Sequence, residues 1–412
     1  MFKDKTKLTI FFTIFIDLLG VGILIPVIPL LFASPLSEFY ILPAGVSINT
    51  GYLLLGLLIA VYPIGQFIAT PILGQLSDQY GRKKILALSL AGTSLSYFLF
   101  AIGIVTHNIP LLFISRFFDG LTGGNISVAQ AMIGDISTKE TRAKNFGMIG
   151  AAFGLGFIFG PFIGGKLSDP HTLSWFSATT PFYFASILAF LNMSSVLFVL
   201  KETNKHMHGG ILKWNKSIRN IIEAFKMKGL NTIFFTSFFF NAGFTFFTTF
   251  FSVYLIKKFG FDQGNIGDFF AYIGLWSVIT QGVVTGFVAK RFSEDKILRF
   301  SLIGSGIMIL MYFLPVYAWQ IYLIPPFFGL CTGLTMANLG SLLSKSSKPE
   351  MQGKIFGINS SIQALAQLIP AIISGFVAAL LTPESPMLIA SMFILFGALV
   401  FMRLYRKEDH PH

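Results

Sequence analysis

Twelve long apolar runs limit what this 412-residue chain can fold into. The first six lie near residues 8–33, 51–73, 85–106, 109–135, 146–167 and 180–200, and the other six near 231–256, 265–289, 297–316, 319–344, 353–381 and 386–405. A run of about 20 residues crosses a hydrocarbon layer of about 30 Å as an α-helix. Because lipid offers no partner to a backbone polar group, the sequence predicts an all-α polytopic membrane protein with twelve transmembrane helices.

The basic residues indicate the orientation of these helices, since cytoplasmic loops of membrane proteins are rich in Lys and Arg. Most of the 30 Lys and Arg residues precede the first run, follow the last run, or lie in the central connection and in alternate loops. We therefore expect both termini to be cytoplasmic. The same distribution explains the net charge of +12, so the predicted partner is the lipid bilayer and not nucleic acid.

The two halves of the chain repeat each other. GRKKILALSLAG (81–92) aligns with SEDKILRFSLIG (293–304), and Phe117, Phe118 and Gly123 recur about 210 residues later as Phe327, Phe328 and Gly333. Many transporters are built from such repeats around a central site. The prediction is two pseudo-symmetric six-helix bundles, residues 1–200 and 229–412, joined by a cytoplasmic linker, 201–228, with an amphipathic helix on the membrane surface.

Several kinds of chemistry have no support in the sequence. Cys331 is the one cysteine, so neither a disulfide framework nor a cysteine metal site is expected. No nucleotide-binding G-x-x-x-x-G-K-[ST] loop occurs, and no nucleophile–base pair indicates an enzyme. We expect no metal and no cofactor.

Four motifs resemble those of one transporter family. GQLSDQYGRKK (74–84) resembles the loop signature of the major facilitator superfamily, and GLGFIFGPFIGG (154–165) resembles the motif of its proton-coupled drug antiporters. DLLGVGILIPVIP (17–29) and RFFDGLTGGN (116–125) are similar to the first and fourth spans of the tetracycline-type exporters. The resemblance implies the major facilitator fold and drug efflux across a bacterial cytoplasmic (inner) membrane. We expect the protein to act as a monomer.

The loop signature is predicted to form a conformational gate. Gly74 and Gly81 would permit a tight turn between helices, and Asp78 and Arg82 are opposite charges beside the membrane surface. Asp135, at the end of the fourth span, completes an acid–base–acid cluster. The resemblance implies that this cluster latches the two bundles together in one conformation; the alternative is that the basic residues are topology signals.

The fifth span presents a face with almost no side chains. Gly156, Gly160 and Gly164 recur at steps of four, so another helix can approach closely. Pro161 and Gly165 weaken the same helix and provide a place to bend. The interpretation is a sliding interface of the antiporter type, and ordinary small-residue packing is the alternative.

Asp17 is an acid inside an apolar span, where a carboxylate costs about 2.5 to 3.5 kcal/mol on insertion scales. Arg116 and Asp119 are predicted at a similar depth in the fourth span, one turn apart on one helix face. Two acids and one base can exchange a proton for a substrate. A static Asp–Arg pair that fixes helix register is the alternative for these proton-coupling candidates.

Polar side chains recur at helical spacing in the spans of the second half, among many phenylalanines. Amides in lipid require partners, so these faces are expected to point inward. An amide, hydroxyl and phenyl lining suits a mostly apolar, drug-sized molecule. The predicted cavity residues of the second half are Asn241, Thr245, Gln281, Asn338, Gln363 and Gln367, and Asn125 is added to them from the fourth span, in the first half.

The sequence thus predicts a secondary transporter that exports an amphipathic small molecule in exchange for protons. Three alternatives remain: a proton-coupled symporter or facilitator for a metabolite, a siderophore exporter, and a membrane receptor or assembly factor that keeps the transporter fold.

Overall fold

The computed structural model describes residues 2–138, 142–204, 215–227, 229–346 and 352–405. The first half contains α1 (Phe2–Phe32), α2 (Ile48–Tyr80), α3 (Arg82–Val105), α4 (Ile109–Thr122), α5 (Asn125–Ile136), α6 (Arg142–Ser168) and α7 (Thr180–Phe198). They are followed by α8 (Lys216–Lys226), α9 (Leu230–Phe259), α10 (Gln263–Ile279), a π-helical turn (Thr280–Val284), α11 (Thr285–Val288), α12 (Glu294–Met311), α13 (Ala318–Ile321), α14 (Pro325–Lys345), α15 (Gln352–Leu380) and α16 (Ser385–Leu404).

A helix, or a short series of helices, occupies each of the twelve predicted spans. Within the described ranges, nine helical segments are long and apolar enough to cross a membrane. The predicted all-α membrane fold is therefore confirmed. Linker residues 205–214 and 228, residue 1 and residues 406–412 lie outside the described residues.

The fourth span is not one continuous helix, in contrast to the prediction. It divides at Gly123 and Gly124 into α4 and α5. Glycine is a weak helix former, and neither position has room for a side chain. A Cβ atom on Gly123 would lie 2.5 Å from Tyr62 Oη, and one on Gly124 would lie 2.8 Å from Leu73 Cδ1.

Two further spans are interrupted in the second half. The eighth contains the π-helical turn Thr280–Val284, and Thr285, directly after the turn, donates a hydrogen bond of 3.0 Å from its Oγ1 to the carbonyl of Thr280. The tenth begins with the short α13 and restarts at Pro325, as expected from the lack of a backbone N–H in proline. A π-helical turn like the one in the eighth span occurs frequently at functional sites.

The chain forms two compact units, Met1–Gly45, Val61–Lys216 and Asp262–Ala271 in the first, and Val46–Ala60, Ser217–Phe261 and Tyr272–His412 in the second. In the first unit, α1 packs against α5, α6 and α7, and α3 packs against α4, α5 and α7. Buried apolar side chains fill the space between these helices, including Ile14, Leu86, Val128, Met132 and Val196. The domain bounds inferred from sequence stay a prediction.

In the second unit, α9 packs against α15 and α16, and α12 packs against α14 and α16. Aromatic rings dominate its interior. The ring centroid of Phe247 lies 4.4 Å from that of Phe251 and 5.1 Å from that of Phe328, while Tyr312 lies 4.7 Å from Phe251. The linker helix α8 contacts α15, since Asn220 Nδ2 donates to Ser361 Oγ at 3.1 Å.

Each unit contains a close glycine–glycine contact. In the first unit a Cβ atom on Gly165 would lie 3.0 Å from Cα of Gly267, and in the second a Cβ atom on Gly56 would lie 2.7 Å from Cα of Gly375. The two contacts correspond at the offset of about 210 residues that relates the two halves of the sequence. The repeat is thus present in the packing as well as in the sequence.

Candidate functional site

Asp17 lies in the interior of the first unit, on α1, with 4% of its surface exposed. Its Oδ1 atom accepts a hydrogen bond of 2.9 Å from Asn125 Nδ2, at the start of α5. Its second oxygen, Oδ2, has no hydrogen-bond partner among the described residues. One amide is therefore the direct polar contact of this acid.

Arg116 and Asp119 form an ion pair within α4. Arg116 Nη1 lies 2.5 Å from Asp119 Oδ2, and both side chains are buried. The guanidinium carbon of Arg116 also lies 4.6 Å from the ring centroid of Tyr62. The two residues share one helix face, as their spacing predicts, and the acid that pairs directly with Arg116 is Asp119.

The structure brings the three predicted proton-coupling residues together, because Asp17 is close enough to Asp119 and Arg116 to interact with the charge of both. With every group ionised, the set carries a net charge of −1. With one acid protonated, it is neutral. Burial penalises the charged arrangement, and Asp17 has no ion-pair partner among the described residues. Proton coupling by these three residues stays a prediction.

Asn125 is placed differently from the expectation that it lines a substrate cavity. Its side chain is fully buried and is bonded to Asp17. The Asn125 Oδ1 atom has no partner within the described structure. Its position next to an ionisable group results from the Gly123–Gly124 interruption, which starts a new helix at this residue.

The loop signature forms an ion-pair cluster. Arg82 Nη1 lies 2.7 Å from Asp78 Oδ1, and Arg82 Nε lies 3.3 Å from Asp135 Oδ2. Arg82 Nη1 also donates to Ser77 Oγ at 2.6 Å. The predicted acid–base–acid arrangement is thus present within the first unit, whereas its role as a gate stays a prediction.

The two glycines of the loop signature are not equivalent, which corrects the prediction of a turn that uses both. Helix α2 extends to Tyr80, so Gly74 is helical, and a Cβ atom there would meet nothing within 4 Å. The turn is made at Gly81, whose φ of 97° favours glycine. The helix continues through Gly74 because one glycine costs only about 1 kcal/mol in a helix, which is not enough to end it.

Three residues of the linker contact this cluster and were not singled out from the sequence. The carboxylate of Glu202 accepts hydrogen bonds from the backbone N–H groups of Arg82 and Lys83, at 3.0 and 3.1 Å. Thr203 Oγ1 donates to Asp135 Oδ2, and Asn204 Nδ2 donates to the Asp78 carbonyl, both at 3.0 Å. An acid at a helix N-terminus is a known stabilising arrangement. Glu202 is 120 positions from Arg82 in the sequence, so this contact could not be recognised from the sequence.

The glycine face of α6 packs directly on α1. A Cβ atom on Gly156 would lie 2.6 Å from Leu18 Cβ, and one on Gly164 would lie 2.6 Å from the carbonyl oxygen of Ile23. Helix α6 continues through Pro161 without interruption. The predicted close approach of a second helix is present here, and sliding along it remains a hypothesis.

The polar residues predicted for the cavity divide into two groups in the second unit. Asn338 is buried, and its Nδ2 donates to the carbonyl of Leu334 on its own helix. Asn241, Gln281, Gln363 and Gln367 are partly exposed. Thr245 Oγ1 donates to the carbonyl of Asn241 at 2.9 Å. Ser237 Oγ, on the same helix, donates to Asn359 Oδ1 at 2.9 Å and thereby joins α9 to α15.

A family model described as Major Facilitator Superfamily matches residues 10–369 and 283–412. These two matches cover nearly the entire chain, including all the site residues above. The chain belongs to the Major Facilitator Superfamily. The predicted fold and family are therefore confirmed. The protein is a transporter and not an enzyme.

Two curated relatives of this superfamily member are resistance proteins. The tetracycline resistance protein, class E, of Escherichia coli is 31% identical over 90% of this chain and 88% of its own length. The quinolone resistance protein NorA of Staphylococcus aureus (strain MSSA476) is 28% identical over 90% of this chain and 89% of its own length. The similarity thus extends over about nine-tenths of this chain and of each relative.

Solved transporter structures share the fold. The D-xylose–proton symporter superposes with a TM-score of 0.78 at 14% identity and covers both chains fully. The human organic anion transporter MFSD10 gives a TM-score of 0.72 at 20% identity, over 97% of this chain and 99% of its own. Together with the apolar helices, the family identifies an integral membrane protein.

Proposed function

We propose that this protein exports an amphipathic, drug-like small molecule from the cytoplasm in exchange for protons that enter. The resemblance of its motifs to drug antiporters and its similarity to tetracycline and quinolone resistance proteins over about nine-tenths of the chain support this function. The membrane is the bacterial cytoplasmic membrane, with both termini on the cytoplasmic side, and the protein works as a monomer.

The observation that carries the proposal is the state of Asp17. It is a buried acid whose direct contact is an amide, while the nearby arginine is paired with another acid. A purely structural carboxylate in a membrane helix would be expected to have a cationic partner. An acid without one is suited to bind a proton, lose it and bind it again.

The proposed cycle uses the change in buried charge. Protonation of Asp17 makes the set of Asp17, Arg116 and Asp119 neutral, and loss of the proton leaves a charge of −1. A ligand that binds one charge state more tightly changes the proton affinity of the set, and the proton changes the affinity for that ligand by the same factor, because binding free energies are linked. Export follows when substrate favours the deprotonated state and protons favour the empty carrier.

The substrate contacts are proposed for polar side chains of the second unit that remain partly exposed, namely Asn241, Gln281, Gln363 and Gln367. Amides can donate and accept hydrogen bonds, and phenylalanines of α9 provide apolar surface beside them. This combination suits a mostly apolar molecule with a few polar groups. The four amides carry no charge, so they do not require an anionic substrate.

The test uses the full-length protein reconstituted in vesicles with a pH indicator. Adding members of a panel of tetracyclines, quinolones and other amphipathic compounds to the native protein should release protons for the transported ones. Asp17→Asn should abolish the release and the proton-driven transport. Asp268→Asn is the matched control, because Asp268 is a half-exposed acid paired with Lys166 at 2.8 Å, and it should behave as the native protein.

The result also separates the alternatives. Uptake that rises with an inward proton gradient would select a symporter or facilitator for a metabolite, and release by siderophores alone would select a siderophore exporter. Proton release by Asp17→Asn at the native level would overturn proton exchange at this residue. A biological effect that survives Asp17→Asn without transport would favour a receptor.

A further inference from the structure

Two buried polar atoms without a partner in the described structure belong to one pair of side chains. They are Asp17 Oδ2 and Asn125 Oδ1, while the other polar atoms of the same two groups, Asp17 Oδ1 and Asn125 Nδ2, are bonded at 2.9 Å. An unsatisfied buried polar group is costly. Two such atoms on adjacent planar groups require an explanation.

The chemistry of the two groups provides it. An ionised carboxylate only accepts hydrogen bonds, and an amide oxygen also only accepts, so Asp17 Oδ2 and Asn125 Oδ1 cannot bond to each other in the ionised state. A protonated carboxyl group carries an O–H donor on one oxygen. With that proton on Oδ2, the acid and the amide can donate one hydrogen bond to each other, and both atoms are satisfied.

We propose that Asn125 detects the protonation state of Asp17 by changing from one hydrogen bond to two. This inference rests on the proposed proton exchange and deepens it. Asn125 is a positioning residue: the ionised acid accepts from its amide N–H group, and the protonated acid also donates to its amide oxygen. No bond is formed or broken other than that of the exchanged proton, which comes from water and returns to it.

The position of Asn125 gives this change a path to the rest of the span. It is the first residue of α5, directly after the Gly123–Gly124 interruption, and the Arg116–Asp119 pair lies on the other side of the interruption in α4. A second hydrogen bond between α1 and α5 holds the first residue of α5 more tightly to α1, directly after the interruption between α4 and α5. The proton on α1 therefore alters the relation of α4 to α5.

Other ionisable groups near Asp17 come from three elements. Arg116 and Asp119 are on α4, Tyr62 is on α2 and Tyr97 is on α3. The α6 face against α1 contains no ionisable residue between 145 and 165. Substitution of Asn125 leaves all of these groups in place, so its effect can be separated from theirs.

The experiment is infrared difference spectroscopy of the reconstituted protein between about pH 5 and about pH 9, a range that spans the titration of perturbed carboxyl groups. Protonation of Asp17 should produce a carboxyl carbonyl band together with a shift of an amide carbonyl band, since Asn125 Oδ1 becomes an acceptor. Asp17→Asn should remove both signals. Asn125→Leu should keep the carboxyl band and remove the amide shift.

Asn192→Leu is the matched control, because Asn192 is a buried amide that contacts α1 at Thr13, 3.4 Å away, and not at Asp17. It should keep both signals. A carboxyl band without an amide shift in the native protein would overturn the role of Asn125 and leave proton exchange intact. Absence of any band that depends on Asp17 would instead contradict the proposed function.

A second measurement tests the coupling. A transported compound should shift the midpoint of the native titration. In Asn125→Leu, the factor by which the compound changes proton affinity should be about tenfold smaller, which is within the usual range of coupling between sites. An unchanged shift in Asn125→Leu would overturn the proposal. If this variant does not fold, the amide shift of the native protein and its loss in Asp17→Asn still decide the question.

Discussion

Gly22 on α1 and Gly160 on α6 approach so closely that a Cβ atom on Gly160 would lie 2.7 Å from Cα of Gly22. The reverse also holds, since a Cβ atom on Gly22 would lie 2.8 Å from Cα of Gly160. Backbone meets backbone at this point, so no side chain can move aside. The contact is five residues from Asp17 along α1, which connects the glycine face of α6 to the helix that carries the buried acid.

Gly160→Ala is therefore expected to destabilise the protein by about 1 to 3 kcal/mol, the usual cost of inserting a methyl group into a packed contact. Gly340→Ala is the control, because Gly340 is also helical and a Cβ atom there meets nothing within 4 Å. It should be neutral or stabilise by up to about 1 kcal/mol through helix propensity. Thermal unfolding in detergent measures both, and equal effects would contradict the packing argument.

The ion pairs of Arg82 lead to a prediction on transport rate. Asp78→Asn or Asp135→Asn removes one of its two acidic partners. Exposed ion pairs contribute up to about 1 kcal/mol, so we expect membrane insertion to be unaffected and turnover to fall by up to about fivefold. Glu38→Gln, at an exposed acid in the loop before α2, is the control. Native turnover in both cluster variants would show that the ion pairs do not control the cycle.

The sequence predicted elements that depend on local pattern and on repeated patterns. The apolar runs located the helices, the spacing of Arg116 and Asp119 placed them on one face, and the steps of four from Gly156 to Gly164 indicated a close helix contact. Each of these follows from the helical period alone. The first apolar run also placed Asp17 inside a membrane-spanning helix, as the structure has it.

The sequence could not predict features that depend on contacts between distant segments. The interruption at Gly123 and Gly124 arises where Tyr62 and Leu73 leave no room for side chains, and a pair of glycines in a span does not by itself indicate a break. The bond from Asn125 to Asp17 is a consequence of that interruption. The contact of Glu202 with α3 joins residues 120 positions apart.

Glu202 provides a test of the connection between the linker and the loop signature. Glu202→Ala removes the acceptor of two backbone N–H groups at the start of α3. Loss of a comparable helix cap costs about 0.5 to 2 kcal/mol, so the amide hydrogens of Arg82 and Lys83 should exchange about 2-fold to 30-fold faster. Glu202→Gln keeps an acceptor oxygen and should lie between Glu202→Ala and the native protein. Hydrogen exchange with mass spectrometry measures the change, and unchanged exchange in the alanine variant would show that the contact does not stabilise α3.

The ion pair of Glu294 and Lys345 makes the second unit sensitive to acid. Lys345 donates a hydrogen bond to Glu294 and thereby lowers the pKa of this carboxyl group below its usual value of 4.5. A carboxyl group with a lowered pKa in the folded protein contributes stability above its unfolded pKa and loses it as the pH falls through the folded pKa. The unfolding temperature of the native protein should therefore fall more steeply than that of Glu294→Gln as the pH decreases below 4.5. Comparing the two proteins cancels the titration of the other acids. Parallel curves for the native protein and Glu294→Gln would show that the ion pair contributes no stability.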